Sequence, residues 1–412
     1  MAAVALWVKM AASGGFRIEG EIAMSLRTDA LIKKHFLEAL GRLEYGELDF
    51  IEPDGTHHHL QGRHPGPKAK LVLHDWNVVR RVLARGDVAL GEDYIAGAWD
   101  TDDIADVTSL FLLNESAFAA YGKGGLLSRI ALMLHNRLVR RNSLSGSKRN
   151  IEAHYDVGNE FYSLWLDKSM TYSSALFGED AKSLEEAQQN KYGRILAKFP
   201  GPGASVLEIG CGWGGFAERA VAAGHKLTGL TISPAQFRFA TERLKGAADI
   251  LLEDYRKARG LFDMIVSIEM FEAVGEQYWP DYFRAVAERL KKSGRAVIQT
   301  ITIRDELFAQ YRLRSDFIRH YVFPGGMLPS LQRFREEAAR AGLKAVDQFA
   351  FGKDYARTLR EWSGRMAAKS AEIVALGHDA RFLRNWQYYL GICAAAFSTG
   401  RTDVVQVELV KA

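Results

Sequence analysis

The run Ser205-Val206-Leu207-Glu208-Ile209-Gly210-Cys211-Gly212-Trp213-Gly214-Gly215-Phe216 joins an apolar strand carrying an acid to a glycine-rich turn and the start of a helix over 215–223. Glycine takes backbone angles closed to other residues and lets the main chain approach a ligand closely, so such a turn suits a nucleotide-like group. A dinucleotide enzyme would also use such a loop, to seat a pyrophosphate at the helix N-terminus. Further on, Leu227-Thr228-Gly229-Leu230-Thr231 lacks the terminal acid that many nucleotide sites use for ribose hydroxyls. Thr231 and Gln236 are expected to make those bonds instead. Ser233-Pro234 also reads as the cap and first turn of a helix, and the two readings are compatible. The triple His57-His58-His59 invites a metal, but neighbours in a strand point to opposite faces and do not converge on one ion. A structural role is expected for it, and no metal site.

The elements needed to hold these residues follow from pattern. Beyond Asn150, strands and helices alternate, the signature of an α/β domain whose parallel sheet is covered on both faces. Strands are expected at 205–209, 226–230, 250–252, 262–267, 295–301, 343–349 and 403–410. A smaller mixed α+β domain over 25–121 precedes it. There, Leu31, Ile32, His35, Phe36, Ala39 and Leu40 mark one buried face of a helix over 29–43. Leu48 to Glu52, Pro53-Asp54-Gly55 and His57 to Leu60 read as a hairpin, because Asp-Gly supplies the positive φ of a tight reversal. Residues 122–150 form a basic amphipathic linker: Lys123, Arg129, Arg137, Arg140, Arg141, Lys148 and Arg149 accompany Leu126, Leu127, Ile130, Leu134 and Leu138 at helical spacing. Such a helix suits an anionic lipid surface, or else packs on its own protein with solvated arginines. Residues 1–24 read as a leader, disordered or an artefact of gene-start choice, with Met24 an alternative start.

Composition narrows the class. The chain has 412 residues, 48% of them hydrophobic and 25% charged, which suits a globular two-domain protein. Its net charge of +4 is too small and dispersed to argue for a nucleic-acid partner. Two cysteines, Cys211 and Cys393, exclude a disulfide framework and fit a reducing, cytoplasmic setting. The longest apolar run, Tyr388 to Phe397, falls short of the about 18 residues of a spanning helix.

The spacing Glu-x-Gly-x-Gly-x-Gly at 208–214 is that of S-adenosylmethionine methyltransferases, where the glycines make room for the amino-acid end and ribose of the cofactor. Further blocks resemble the cyclopropane fatty acid synthases and mycolic acid methyltransferases: His154-Tyr155-Asp156-Val157-Gly158-Asn159, Thr171-Tyr172-Ser173-Ser174, Thr231 to Gln236, Met270-Phe271-Glu272-Ala273-Val274-Gly275, Tyr321 to Ser330 and Phe351-Gly352-Lys353-Asp354-Tyr355. Gly91 to Asp100 resembles the smaller N-terminal domain of the phospholipid-acting members. The resemblance implies a Rossmann-like class I methyltransferase fold and transfer of one carbon from S-adenosylmethionine to a cis double bond of a phospholipid acyl chain. Tyr172, Ser173, Glu208, Gly210, Gly212, Gly214, Thr231 and Gln236 would bind the cofactor. The setting implied is cytoplasmic, peripheral to the inner face of the membrane, with a homodimer allowed.

An alkene is a feeble nucleophile, so the enzyme must align it, exclude water and tolerate a carbocation. Phe271, Tyr321, Phe323 and Tyr355 are candidate aromatic faces for that cation. Ring-forming members of the family use a bound bicarbonate to take the final proton, held by a cysteine, a glutamate, a histidine and a tyrosine. Glu272 and Tyr355 match that set. Ser174 stands in the cysteine's place, Gln299 in the histidine's, and Glu269 where a glycine usually lies. The expectation is that Glu269 replaces bicarbonate with a protein carboxylate, a better base in an apolar cavity and coupled in titration to Glu272. Otherwise Glu269 turns away onto a cofactor or backbone donor. The product is then a cyclopropane or a methyl-branched, methylated unsaturated chain, depending on which carbon loses the proton. Two other functions compete: a small-molecule N- or O-methyltransferase, and a noncatalytic cofactor-binding lipid sensor. Copurified phospholipid separates the former; retention of Glu272, Tyr355 and the cofactor loop argues against the latter.

Overall fold

A computed structural model describes residues 30–118, 157–178, 181–314 and 316–412. The leader 1–24 and the basic linker 122–150 lie outside the described residues. In the N-terminal part a helix over 30–40 buries Phe36, Ala39 and Leu40 against a four-stranded sheet. That sheet runs in the order β2-β1-β3-β4, with β1 Tyr45–Ile51, β2 His57–Gln61, β3 His64–Leu73 and β4 Trp99–Asp100. The expected hairpin is β1–β2, registered Phe50 to His58, with Gly55 at φ +86° in the turn. On β2, His58 bonds Glu52 and His59 bonds Asp49, each at 2.7 Å. Strand β3, parallel to β1, was not anticipated: His64-Pro65-Gly66-Pro67 reads as a loop, and the alternation of buried Ala69, Leu71 and Leu73 begins only after it.

The larger sheet has seven strands in the order β10-β11-β9-β8-β5-β6-β7. These are β5 Ser205–Ile209, β6 Lys226–Thr231, β7 Asp249–Leu252, β8 Phe262–Ile268, β9 Leu290–Ile303, β10 Leu343–Ala350 and β11 Thr402–Lys411. Central β5 and β8 are nearly continuous apolar runs, as strands covered on both faces must be. The sheet is not wholly parallel, which corrects the sequence expectation: β11 runs antiparallel to both β9 and β10. The reason lies in the connection. Helices Gly352–Ala368 and Ala380–Ser398 pack on one another, and Phe351 N–H donates to the Val404 carbonyl at 3.0 Å. The helical pair thus returns the chain to the edge it left, so the next strand runs backwards.

Helix Ala380–Ser398 contains the longest apolar run of the sequence, and packing explains it. It lies against helices Ile104–Leu113 and Gly352–Ala368, and a Cβ on Gly391 would fall 2.5 Å from Ile104 Cβ. Among the described residues no helix is long and apolar enough to cross a membrane. One core runs from Leu48, Phe50 and Trp99 of the small sheet to Trp165, Trp362 and Leu390. Strand order reverses between β5 and β8, and a crevice opens beyond the carboxyl ends of strands at such a point.

Candidate active site

Three glycines after β5 have left-handed backbones: Gly210 at φ +82°, Gly212 at +53° and Gly214 at +83°, the last opening helix Gly215–Ala222. A Cβ on Gly210 would stand 2.8 Å from Met270 Cγ, so the turn has no room for a side chain. Glu208 is buried at the head of this loop, and burial pushes its carboxyl up to about 8. Its Oε2 lacks a hydrogen-bond partner, an opening for a donor such as a cofactor amine. At the end of β6, Thr231 Oγ1 donates to Gln236 Oε1 at 3.0 Å, while Ser233 caps the helix Pro234–Leu244. The helix-start reading of that segment holds. The acid missing from β6 has a neighbour one strand over: Glu253, whose N–H donates to the Thr231 carbonyl. Glu208, Gly210, Gly212, Thr231, Gln236 and Glu253 line one cavity of about 680 Å³. These residues fit S-adenosylmethionine: a cradle without Cβ atoms, an orphaned acid, and polar groups at two strand ends.

The same cavity reaches Glu269, which follows β8 and retains a left-handed backbone at φ +50°. Glycine is at ease there; a glutamate carries roughly 1–3 kcal/mol of strain and persists only when its surroundings fix it. Four donors do so. Glu269 Oε1 accepts from Ser173 Oγ at 2.9 Å, Ser174 N–H at 2.9 Å and Gln299 Nε2 at 2.7 Å, and Oε2 accepts from Tyr355 hydroxyl at 2.6 Å. Its setting is therefore polar, not the apolar one anticipated. The carboxylate does take a backbone N–H, as the alternative reading held, but it faces the cavity and three side chains as well.

The four donors come from three segments: the Ser173–Ser174 loop, strand β9 with Gln299, and helix Gly352–Ala368 with Tyr355. Gln299 lies on β9 and is oriented by Gln406 of β11, whose Nε2 donates to Gln299 Oε1 at 3.0 Å. Burial and the neighbouring Glu269 raise the Tyr355 phenol well above its ordinary value, so it stays a donor. Ser173, expected at the cofactor, stands at Glu269. Ser174 contributes only its N–H, since its hydroxyl donates to the Ala175 carbonyl at 3.0 Å. Tyr172 lines the cavity and donates to the Tyr389 hydroxyl at 2.9 Å.

Glu272 is the second carboxyl. Its Oε1 accepts from Thr300 Oγ1 at 2.9 Å and from Ile301 N–H, and Oε2 lacks a hydrogen-bond partner. Burial first, then Glu269, push it up to about 8, so Glu272 is the member of the pair that stays protonated at neutral pH. A carboxyl that holds its proton more tightly folded than unfolded stabilises the fold fully below its unfolded value of about 4.3 and loses that contribution as pH rises towards 8. Glu272→Gln mimics the protonated form. Thermal unfolding at pH 5 and pH 8 should show a smaller loss of Tm in this variant than in the unaltered protein.

Two aromatic expectations are corrected. Phe271 is fully buried among Trp279, Tyr282 and Phe334, because the turn after β8 points it into the core beneath the sheet. Tyr321 is 45% exposed and its hydroxyl bonds Glu92. Neither lines the cavity, whereas Phe323 and Tyr355 do, joined by Tyr388 and Tyr389, which pattern alone did not single out. Sequence reasoning also passed over Lys191. The signal was present: Leu184, Ala187, Gln188, Lys191 and Ile195 share the buried face of helix Leu184–Leu196, and a lysine on such a face needs a reason.

Comparison with known proteins agrees with this geometry. The family model described as mycolic acid cyclopropane synthetase matches residues 142–407. The tuberculostearic acid methyltransferase UfaA1 of Mycobacterium tuberculosis is 34% identical over 379 residues, 88% of each chain. The cyclopropane-fatty-acyl-phospholipid synthase of Escherichia coli K12 is 36% identical over 335 residues, 80% of this chain and 84% of that one. Among solved structures, mycolic acid cyclopropane synthase CmaA1 complexed with SAH and CTAB superposes with a TM-score of 0.60 at 31% identity, over 64% of this chain and 98% of that one. The chain therefore belongs to the mycolic acid cyclopropane synthetase family and is an S-adenosylmethionine-dependent methyltransferase.

Proposed function

We propose that the protein adds a one-carbon unit to the cis double bond of an unsaturated phospholipid acyl chain, with Glu269 as the base that completes the reaction. The observation that carries this reading is the Glu269 carboxylate, ringed by four donors and open to the cavity that also holds the glycine loop. Bound S-adenosylmethionine supplies the electrophilic methyl group. The alkene's π pair forms the new carbon–carbon bond as the methyl–sulfur bond breaks, leaving a cation on the chain. Phe323, Tyr355 and Tyr389 line the cavity and offer aromatic faces to that charge. Glu269 then takes a proton, and the electrons of the broken C–H bond close a cyclopropane or form an alkene in a methylated chain. Ring closure takes the proton from the added methyl; the branched product takes it from an adjacent chain carbon.

A protein carboxylate in this position removes the need for bicarbonate and for the cysteine and histidine that the family resemblance places around it. Tyr355 donates to Glu269 Oε2, and Glu272, held protonated, adds no second negative charge beside the base. The phospholipid substrate, the association with the cytoplasmic membrane face, a homodimer and the division into domains at 25–121, 122–150 and 151–412 are part of the same proposal. Mass spectrometry of lipids from cells expressing the protein tests it. The expected result is acyl chains one carbon heavier, absent when Glu269→Gln is expressed. Unaltered lipids, together with methylation of a soluble amine or hydroxyl compound by the purified protein, would overturn it.

A further inference from the structure

Lys191 is fully buried on helix Leu184–Leu196, behind the wall of the cavity. Its Nζ donates to Ser173 Oγ at 2.9 Å, and Gln299 Nε2 approaches the same oxygen at 3.2 Å. A serine hydroxyl has one proton and two lone pairs. With both acceptor sites taken, its proton is directed to Glu269 Oε1, 2.9 Å away. The chain of donors therefore runs one way, from ammonium to hydroxyl to carboxylate. Gln188 holds the relay in place, its Nε2 donating to the Ser173 carbonyl at 2.9 Å.

An ammonium is expensive to bury, and an apolar residue of similar length would fill this space more stably, so the charge calls for a purpose beyond packing. We infer that Lys191 is a positioning residue for the reaction: through Ser173 it holds the Glu269 carboxylate oriented to receive the proton and sets a positive charge behind it. The inference rests on the reading of Glu269 as the base. The groups facing the pair are few. Glu269, Asp167 and Glu208 act on Lys191, whose Nζ lies 4.8 Å from the Tyr192 ring; Glu269 in turn faces Glu272 and Tyr355 and acts on both. Asp167 is occupied by the N–H groups of Ser169 and Thr171, and burial favours the proton on Glu208. Glu269 is thus the anion to which Lys191 is joined by hydrogen bonds. Burial pulls the ammonium down to about 7, and Glu269 is the first of the groups opposing that fall.

Coupling of this kind is reciprocal, which allows a test from either end. Nitrogen NMR of lysine-labelled protein should show one Nζ titrating near neutrality, apart from surface lysines near pH 10.4. Its midpoint should fall by about one unit or more in Glu269→Gln, as expected for loss of an opposite charge within a few ångströms. This arm leaves Lys191 in place and does not depend on the folding of a lysine variant. In Lys191→Met, the acidic limb of the kcat/KM profile should move to higher pH by the same interval, with S-adenosylmethionine affinity unchanged. A lysine that only filled space would lower activity equally at every pH. An Nζ midpoint unmoved by Glu269→Gln, or an acidic limb unmoved in Lys191→Met, overturns the inference even if Glu269→Gln is inactive. Full turnover in Glu269→Gln would instead overturn the base reading, whatever the NMR shift.

Discussion

Glu269→Gln is expected to lower turnover by about 10²- to 10⁴-fold, the range for loss of a general base, while S-adenosylmethionine still binds. The amide fits the space. Ser173 Oγ, Ser174 N–H and Gln299 Nε2 meet the oxygen, and the Tyr355 hydroxyl can turn from donor to acceptor to meet the NH₂. Only the capacity to take a proton is lost. In the unaltered protein, depleting or adding bicarbonate should leave the rate unchanged. Glu269→Gly is the more telling variant. It relieves a backbone held at φ +50° and leaves four donors around an emptied volume shaped for a carboxylate. Added bicarbonate should restore part of the activity, more so with Ser174→Cys and Gln299→His. Loss of wild-type activity on bicarbonate depletion, or full turnover in Glu269→Gln, would place the base elsewhere, with Glu272 next to test.

Gly210→Val should abolish S-adenosylmethionine binding by calorimetry and leave a folded protein with a lowered Tm. At φ +82° a side chain adds roughly 1–2 kcal/mol of backbone strain, and a β-branched one adds more. The new Cβ also meets Met270 Cγ at 2.8 Å, in the turn between Glu269 and Glu272, so displacement of Met270 disturbs both halves of the site. Gly212→Ala is the control. Its backbone is left-handed too, at φ +53°, but nothing lies within 4 Å of the new Cβ, and affinity should fall less. Equal affinity in Gly210→Val and the unaltered protein would remove the glycine loop from the cofactor site.

The elements that hold the site were legible because their signals are local. An apolar run bounded by turn residues marks β5 and β8, Ser233-Pro234 marks a helix start, and Pro53-Asp54-Gly55 marks the hairpin, all readable within a few residues. The same holds for the glycine spacing and for the identity of the residues that resemble the family's site. Direction of pairing was not legible in this way. That β11 runs backwards depends on two helices packing together and returning the chain to its starting edge, an outcome of long-range contacts. With that strand came Gln406, which orients Gln299 from 107 residues away. Facing was likewise a tertiary matter. Phe271 looked like a catalytic aromatic and is core, whereas Lys191 looked like an ordinary helix lysine and is joined to the base through Ser173. Sequence alone determined which chemical groups the chain carries and the local elements bearing them. The tertiary structure decided which groups meet, because a proton-accepting carboxylate is made by donors converging from separate elements, and their convergence is set by packing rather than by spacing along the chain.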